Sequence, residues 1–200
     1  MKKLLIATGN QGKLGEIKNF LEDLNFEIIS LKDLGLNQDV EEDGKTYKEN
    51  SQKKAIHFAK LSNLPTIADD GGIEIDALNG EPGINSKYWA KDEEEIIKKL
   101  GKISEKLPES NRGATFKTVI SLALPSGEVW SAYDEVKGVI TKNEHMKRIV
   151  GYPYRSFFYL PEIGKYYHED ELTKDEQRLY NHRYKAIVKL KAIIEEIFEL

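Results

Sequence analysis

The apolar positions of this chain change period within its first two dozen residues. Lys3-Leu4-Leu5-Ile6-Ala7 is a short apolar run of strand length, and Thr8-Gly9-Asn10-Gln11-Gly12-Lys13 follows at once. Leu14, Ile17, Leu21 and Leu24 then recur at helical spacing, which predicts strand, glycine-containing loop and helix, with Asn10 as N-cap. A polar stretch over 37–45 leads into a helix over about 46–63, with Ala55, Phe58 and Ala59 among its apolar positions. A β-like run over 64–68 precedes Asp69-Asp70-Gly71-Gly72, and Ile73-Glu74-Ile75-Asp76-Ala77 alternates like a half-buried strand. Asn79-Gly80-Glu81-Pro82-Gly83 reads as a turn. Charged residues fill most of 92–106 except a narrow stripe of Ile96, Ile97, Leu100 and Ile103, the pattern of a surface helix. Residues 114–124 and 129–140, joined through Pro125-Ser126-Gly127, read as a long antiparallel hairpin. Thr173-Lys174-Asp175-Glu176 fits a capping box, and a closing helix near 182–198 carries Ala186, Leu190, Ile193 and Ile197 along one face. Mixed strands and helices place the chain in the α/β (α+β) class with a mixed sheet.

Composition narrows the options. Two hundred residues suit one domain with a substantial core, and 40% hydrophobic with 32% charged residues is ordinary for a soluble protein. A net charge of −4 argues against broad electrostatic binding to nucleic acid, though not against a local basic pocket. The absence of cysteine excludes disulfides, thiol catalysis and Cys-ligated zinc. The opening MKKLLIATGN is neither a signal peptide nor a membrane span, so a cytoplasmic protein with no membrane partner is the simplest expectation.

Two places carry candidate chemistry. Asp69-Asp70-Gly71-Gly72 puts paired carboxylates after a strand, where they are expected to reach a sheet edge. The glycines there let backbone, ligand or metal come close. Hard oxygen donors of this kind suit Mg²⁺ bound together with substrate phosphates. Taken alone, the segment reads as well as a solvated acidic turn. The loop of Thr8, Gly9, Asn10, Gln11, Gly12 and Lys13 offers a helix N-terminus and a lysine, which can hold a phosphate. It is neither a Walker loop nor the dinucleotide GxGxxG, and an ordinary strand-to-helix turn reads equally well.

The order of the motifs resembles the inosine triphosphate pyrophosphatase family, which hydrolyses noncanonical purine nucleoside triphosphates. ATGNQGKLGEIKNFL is similar to the family's opening phosphate loop and helix, and EEDGKTYKENSQKKA to its acidic loop and following helix. IADDGGIEIDALNGEPGINS is the most specific match, against ADDSGLxVDxLxGxPGxxS. Gly151-Tyr152-Pro153-Tyr154-Arg155-Ser156-Phe157-Phe158 stands where the family has GFGYDPxF, and Asn181-His182-Arg183 where it has Ser-His-Arg. The resemblance covers nearly the whole chain. It implies an elongated mixed sheet flanked by helices, two lobes with a central cleft, a homodimer, and cleavage between the α- and β-phosphates with Mg²⁺.

On that resemblance, Glu42 and Asp70 would hold Mg²⁺, and Asp70 would orient or deprotonate the attacking water, with Asp69 behind it. Lys13, Lys54 and backbone N–H groups of the 8–10 loop would hold phosphate oxygens. Tyr152 would stack on the base, and His182 and Arg183 would donate to a 6-oxo group that adenine lacks. Without the resemblance these residues have plainer readings. Glu42 lies in a solvated acidic loop with Asp39, Glu41 and Asp43, Lys54 stands beside Lys53 on a polar helix face, and Tyr152 sits in an aromatic cluster with Tyr154. Departures gather at the base end. Gly71 stands in place of a Ser, Pro153, Arg155 and Ser156 in place of Gly, Asp and Pro, and Gln177 in place of a Lys. Two functions follow: a Mg²⁺-dependent nucleotide pyrophosphatase with altered base preference, or a non-catalytic nucleotide-binding protein on the same fold.

Overall fold

The first strand, β1 (Lys3–Ile6), is apolar on both faces because helices cover both. The computed structural model describes residues 2–36, 38 and 40–199; Asn37 and Asp39 of the polar stretch lie outside the described residues. After β1 come α1 (Gln11–Phe20), β2 (Glu27–Ser30), α2 (Tyr47–Ser62), β3 (Thr66–Ile75), α3 (Glu93–Ser104), β4 (Gly113–Ala123) and β5 (Val129–Ile140). The short strands β6 (Phe158–Leu160) and β7 (Lys165–Tyr166) and the helices α4 (Lys174–Tyr180) and α5 (His182–Phe198) complete the chain. The strands form one mixed sheet in the order β2-β1-β3-β4-β5-β6-β7. β1 runs parallel to β2 and β3, whereas β5, β6 and β7 are antiparallel neighbours.

The chain divides into two compact units: residues 1–70, 118–134 and 183–200, and residues 71–117 and 135–182. In the first unit the strand alternation sorts the core. Leu4, Ile6, Ile67, Ile120 and Leu122 face α1 and α5, through Leu14, Ile17, Ala186, Ile187, Leu190 and Ile194. Leu5, Ala7, Ala68 and Ala123 face α2, through Ala55, Phe58 and Ala59. In the second unit Ile73, Ile75, Val136, Ile140 and Phe158 pack with Ile96, Ile97 and Leu100 of α3.

Several boundaries follow the sequence expectation and its physical reason. Asn10 caps α1 by accepting the Lys13 N–H (3.0 Å), Thr46 caps α2 through the Glu49 N–H, and Thr173 with Glu176 closes a capping box on α4. The buried row of α5 is Ala186, Ile187, Leu190, Ile194 and Phe198, with the expected Ile193 and Ile197 only partly covered beside it.

One expectation is corrected. Asp69 and Asp70 do not end a strand at a sheet edge; β3 continues through them and both glycines, and it lies between β1 and β4. Gly72 explains how a glycine pair persists there. A Cβ on Gly72 would stand 2.3 Å from the Gly83 carbonyl oxygen and 2.4 Å from Ser86 Oγ, so the glycine admits the protein's own backbone. Ser86 Oγ accepts the Ile73 N–H (3.0 Å) and donates to the Gly83 carbonyl (2.6 Å), which fixes that approach.

Candidate active site

The parallel register of β1 and β3 pairs Ile6 with Ile67, and the Ala7 N–H donates to the Ile67 carbonyl (2.7 Å). The chain leaving β1 therefore turns into α1 level with the acidic residues that follow Ile67. Successive strand residues point to opposite faces, so Asp69 turns toward α1 and α5 and Asp70 toward α2. Their surroundings differ accordingly.

Asp69 is fully committed. Its Oδ1 is paired with Lys13 Nζ, and its Oδ2 accepts from Arg183 Nε (2.7 Å) and from the Thr118 hydroxyl (2.7 Å). Burial opposes ionisation, but the charges of Arg183 and Lys13 outweigh it and hold the carboxyl well below the usual carboxylate range. Arg183 in turn gives Nη1 to Glu16 of α1 (2.5 Å). Sequence reasoning missed Thr118 and Glu16. The signals were a hydroxyl on the otherwise apolar face of β4 that holds Ile120 and Leu122, and an acid at i+3 from Lys13.

Asp70 is the opposite case. Its Oδ2 is buried and has no hydrogen-bond partner among the described residues, and Lys54 stands beside Oδ1 at 3.9 Å. Burial pushes this carboxyl up to about 6; Lys54 and Lys13 pull it down, and Glu42 and Asp69 add to the rise. Lys54 Nζ also donates to Glu42 (2.5 Å) and to the Asp69 carbonyl (2.7 Å), so it links the acidic loop to β3. That loop is held by the start of α2. Buried Asn50 accepts the Gly44 N–H (2.8 Å), Glu49 accepts the Lys45 N–H (2.6 Å), and Val40 sits in the core.

Glu42 and Asp70 therefore share a cation between them, and Asp70 keeps an oxygen without a hydrogen-bond partner among the described residues. Among the described residues no group of three or more metal-ligating side chains gathers. The pair fits an oxygen-preferring divalent ion that arrives with phosphates and keeps only one or two protein carboxylates. In the loop before α1, the Thr8 N–H donates to the Ile6 carbonyl (3.1 Å) and the Asn10 N–H to Thr8 Oγ (3.1 Å), while Gly9 and Gln11 are exposed and Gly12 half-buried.

The residues expected at the base end, Arg183 apart, belong to the second unit. Arg155 is buried, with its guanidinium 3.8 Å from the Tyr152 ring centre and 4.5 Å from that of Tyr167. The Tyr167 hydroxyl meets His182 Nδ1 (2.9 Å), and Phe116 stacks on the His182 ring at 5.6 Å. Tyr154 donates to the Ser86 carbonyl (2.8 Å), and burial raises its phenol. Gln177 lies half-buried on α4 and accepts the Asn181 N–H (2.8 Å), while Gly71 is half-buried in β3.

The Ham1 family model matches residues 4–193. The chain belongs to the Ham1 family. Similar proteins include the dITP/XTP pyrophosphatase of Clostridium perfringens, 38% identical over 208 residues with both chains fully covered. That of Bacillus subtilis is 34% identical over 98% of each chain. Among solved structures, a HAM1 protein from Coxiella burnetii superposes with a TM-score of 0.81 at 31% identity, covering 98% of this chain and 100% of that one. The Staphylococcus aureus Ham1 protein gives 0.78 at 35% identity, with 98% and 99% covered. The family membership bears out the resemblance drawn from the motifs.

Proposed function

We propose that this chain hydrolyses noncanonical purine nucleoside triphosphates of the dITP and XTP kind to monophosphate and pyrophosphate. The observation that carries the reading is the unsatisfied, buried Oδ2 of Asp70 beside Lys54 and Glu42, in a chain that the Ham1 family model matches over residues 4–193 and whose relatives are named for that reaction.

In this reading Glu42 and Asp70 hold Mg²⁺, which when bound neutralises triphosphate charge and polarises a phosphoryl oxygen. Asp70, ionised at neutral pH, orients the attacking water or takes its proton. Lys13 and Lys54, with the loop of Thr8, Gly9, Asn10, Gln11 and Gly12, bind phosphate oxygens and offset the charge that grows during cleavage. Base selection falls to Tyr152, Tyr154, Arg155, Gln177, Gly71, His182 and Arg183, the last of which also holds Asp69. A purine 6-oxo group accepts hydrogen bonds where adenine donates, so donors at this end discriminate between them. No helix among the described residues is long and apolar enough to cross a membrane. We read the chain as one pyrophosphatase-like domain, a cytoplasmic homodimer with no nucleic-acid partner, in keeping with its net charge of −4 and exposed Tyr88 and Tyr133.

The test is product analysis with ITP, dITP, XTP, GTP, ATP and a pyrimidine triphosphate, with and without Mg²⁺. Pyrophosphate release that needs Mg²⁺ and favours the 6-oxo purines is expected. Orthophosphate alone would overturn the assigned bond, and binding without turnover would leave a nucleotide-binding protein.

A further inference from the structure

We propose that Thr118 is a positioning residue for the phosphate-binding lysine: by holding Asp69 it fixes where the Lys13 ammonium stands. The inference rests on the role of Lys13 in the proposed reaction. Asp69 has two oxygens with separate duties. Oδ1 takes Lys13, and Oδ2 takes the Thr118 hydroxyl from β4 and Arg183 Nε from α5. Two donors converging on one oxygen from different elements fix the rotation of the carboxylate, so its other oxygen has a single direction in which to face. The Lys13 side chain is 20% exposed and that of Asp69 is wholly buried, so the ammonium is anchored from the protein side and presented to solvent. Glu16 completes the arrangement. It draws Arg183 Nη1, so the guanidinium fork is shared between two carboxylates instead of closing both its arms on Asp69.

Without the hydroxyl, Oδ2 keeps Arg183, and the carboxylate is free to rotate toward the guanidinium and draw Oδ1 away from Lys13. Thr118→Val keeps the side-chain shape and removes only the donor. A hydrogen bond to a charged group is worth about tenfold in an equilibrium or rate, so kcat/KM for the best triphosphate should fall by about tenfold. In a Lys13→Ala background the same substitution should have a much smaller effect, because the proposed route runs through that lysine. Thr118→Ser, which restores the hydroxyl, should restore the rate. If Thr118→Val does not fold, comparing Thr118→Ser with Thr118→Ala carries the same cycle.

A second arm does not depend on turnover. Lys13 acylation by a water-soluble amine reagent, followed by peptide mass spectrometry, should be faster in Thr118→Val than in wild type and unchanged in Thr118→Ser. Should the wild type turn over no triphosphate, the proposed function fails and this labelling alone decides the positioning role. A Thr118→Val loss that persists undiminished in Lys13→Ala, or unchanged Lys13 labelling, would overturn the proposal.

Discussion

Replacing Asp70 with Asn should make the protein both slower and more stable. The side chain keeps its shape and loses its charge, in a place where burial has raised the carboxyl from 3.8 to about 6. Each unit of displacement corresponds to about 1.4 kcal/mol, so the ionised folded form carries a penalty of about 3 kcal/mol relative to the unfolded chain. The sign follows from the direction. A raised acid supports the fold while it is protonated, keeps that contribution fully below pH 3.8, and loses it as pH rises through about 6. At pH 8 the Asn protein should therefore gain about 3 kcal/mol, or roughly 6–12 °C in Tm for a chain of this size. At pH 4.5 the gain should shrink to about a third. Melting curves by circular dichroism in EDTA, which keeps divalent ions out of the comparison, measure both. Turnover in Mg²⁺ should fall by at least roughly a hundredfold, the low end for losing a general base. An Asn protein that is less stable than wild type at pH 8, or whose gain is the same at both pH values, would refute the argument that burial governs this carboxyl. Wild-type turnover would remove Asp70 from the chemistry.

Other substitutions probe the second unit. Gly72→Ala forces a methyl against the Gly83 carbonyl and Ser86, so stability should drop by about 1–3 kcal/mol in chemical denaturation; an unchanged midpoint would show that the turn yields freely. Arg155→Gln removes a guanidinium held against two tyrosine rings, at about 2 kcal/mol of stability, and should lower the kcat/KM ratio of dITP over dATP. A loss of stability with that ratio intact would confine Arg155 to packing.

Much of the architecture was legible because its signals are local. The helix start at Asn10, the caps at Thr46 and Thr173, and the Pro125-Ser126-Gly127 hairpin each depend on residues a few positions apart. The acidic segment misled for a physical reason. Glycines usually break strands, and nothing local reveals that the 82–86 turn packs so closely on Gly72 that a side chain has no room. The motifs likewise marked Lys13, Lys54, Glu42 and Asp70, but not which acid belongs with which cation. That pairing depends on the facing of β3 and on contacts across more than a hundred residues, as between Asp69 and Arg183. Thr118 left hardly a trace, because a threonine in a strand is ordinary and its importance lies in one acceptor on the neighbouring strand β3, 49 residues away in sequence.

The placement of consecutive acids on opposite faces of β3 also governs how this protein can change over generations. The layer of α1 and α5 sees one carboxylate and the layer of α2 sees the other. Drift in either layer therefore reaches the chemistry through a separate door. Replacements around Arg183 and Glu16 adjust where a cation stands, and replacements around Asn50 and Lys54 adjust how readily a proton is taken. The two are not fully separate, because Lys13 and Asp69 also act on the Asp70 carboxyl and Lys54 holds the Asp69 carbonyl. Loss or gain of a single codon between Ile67 and Asp70 would act on both at once, since one step of register exchanges the two faces and hands each acid the other's neighbours.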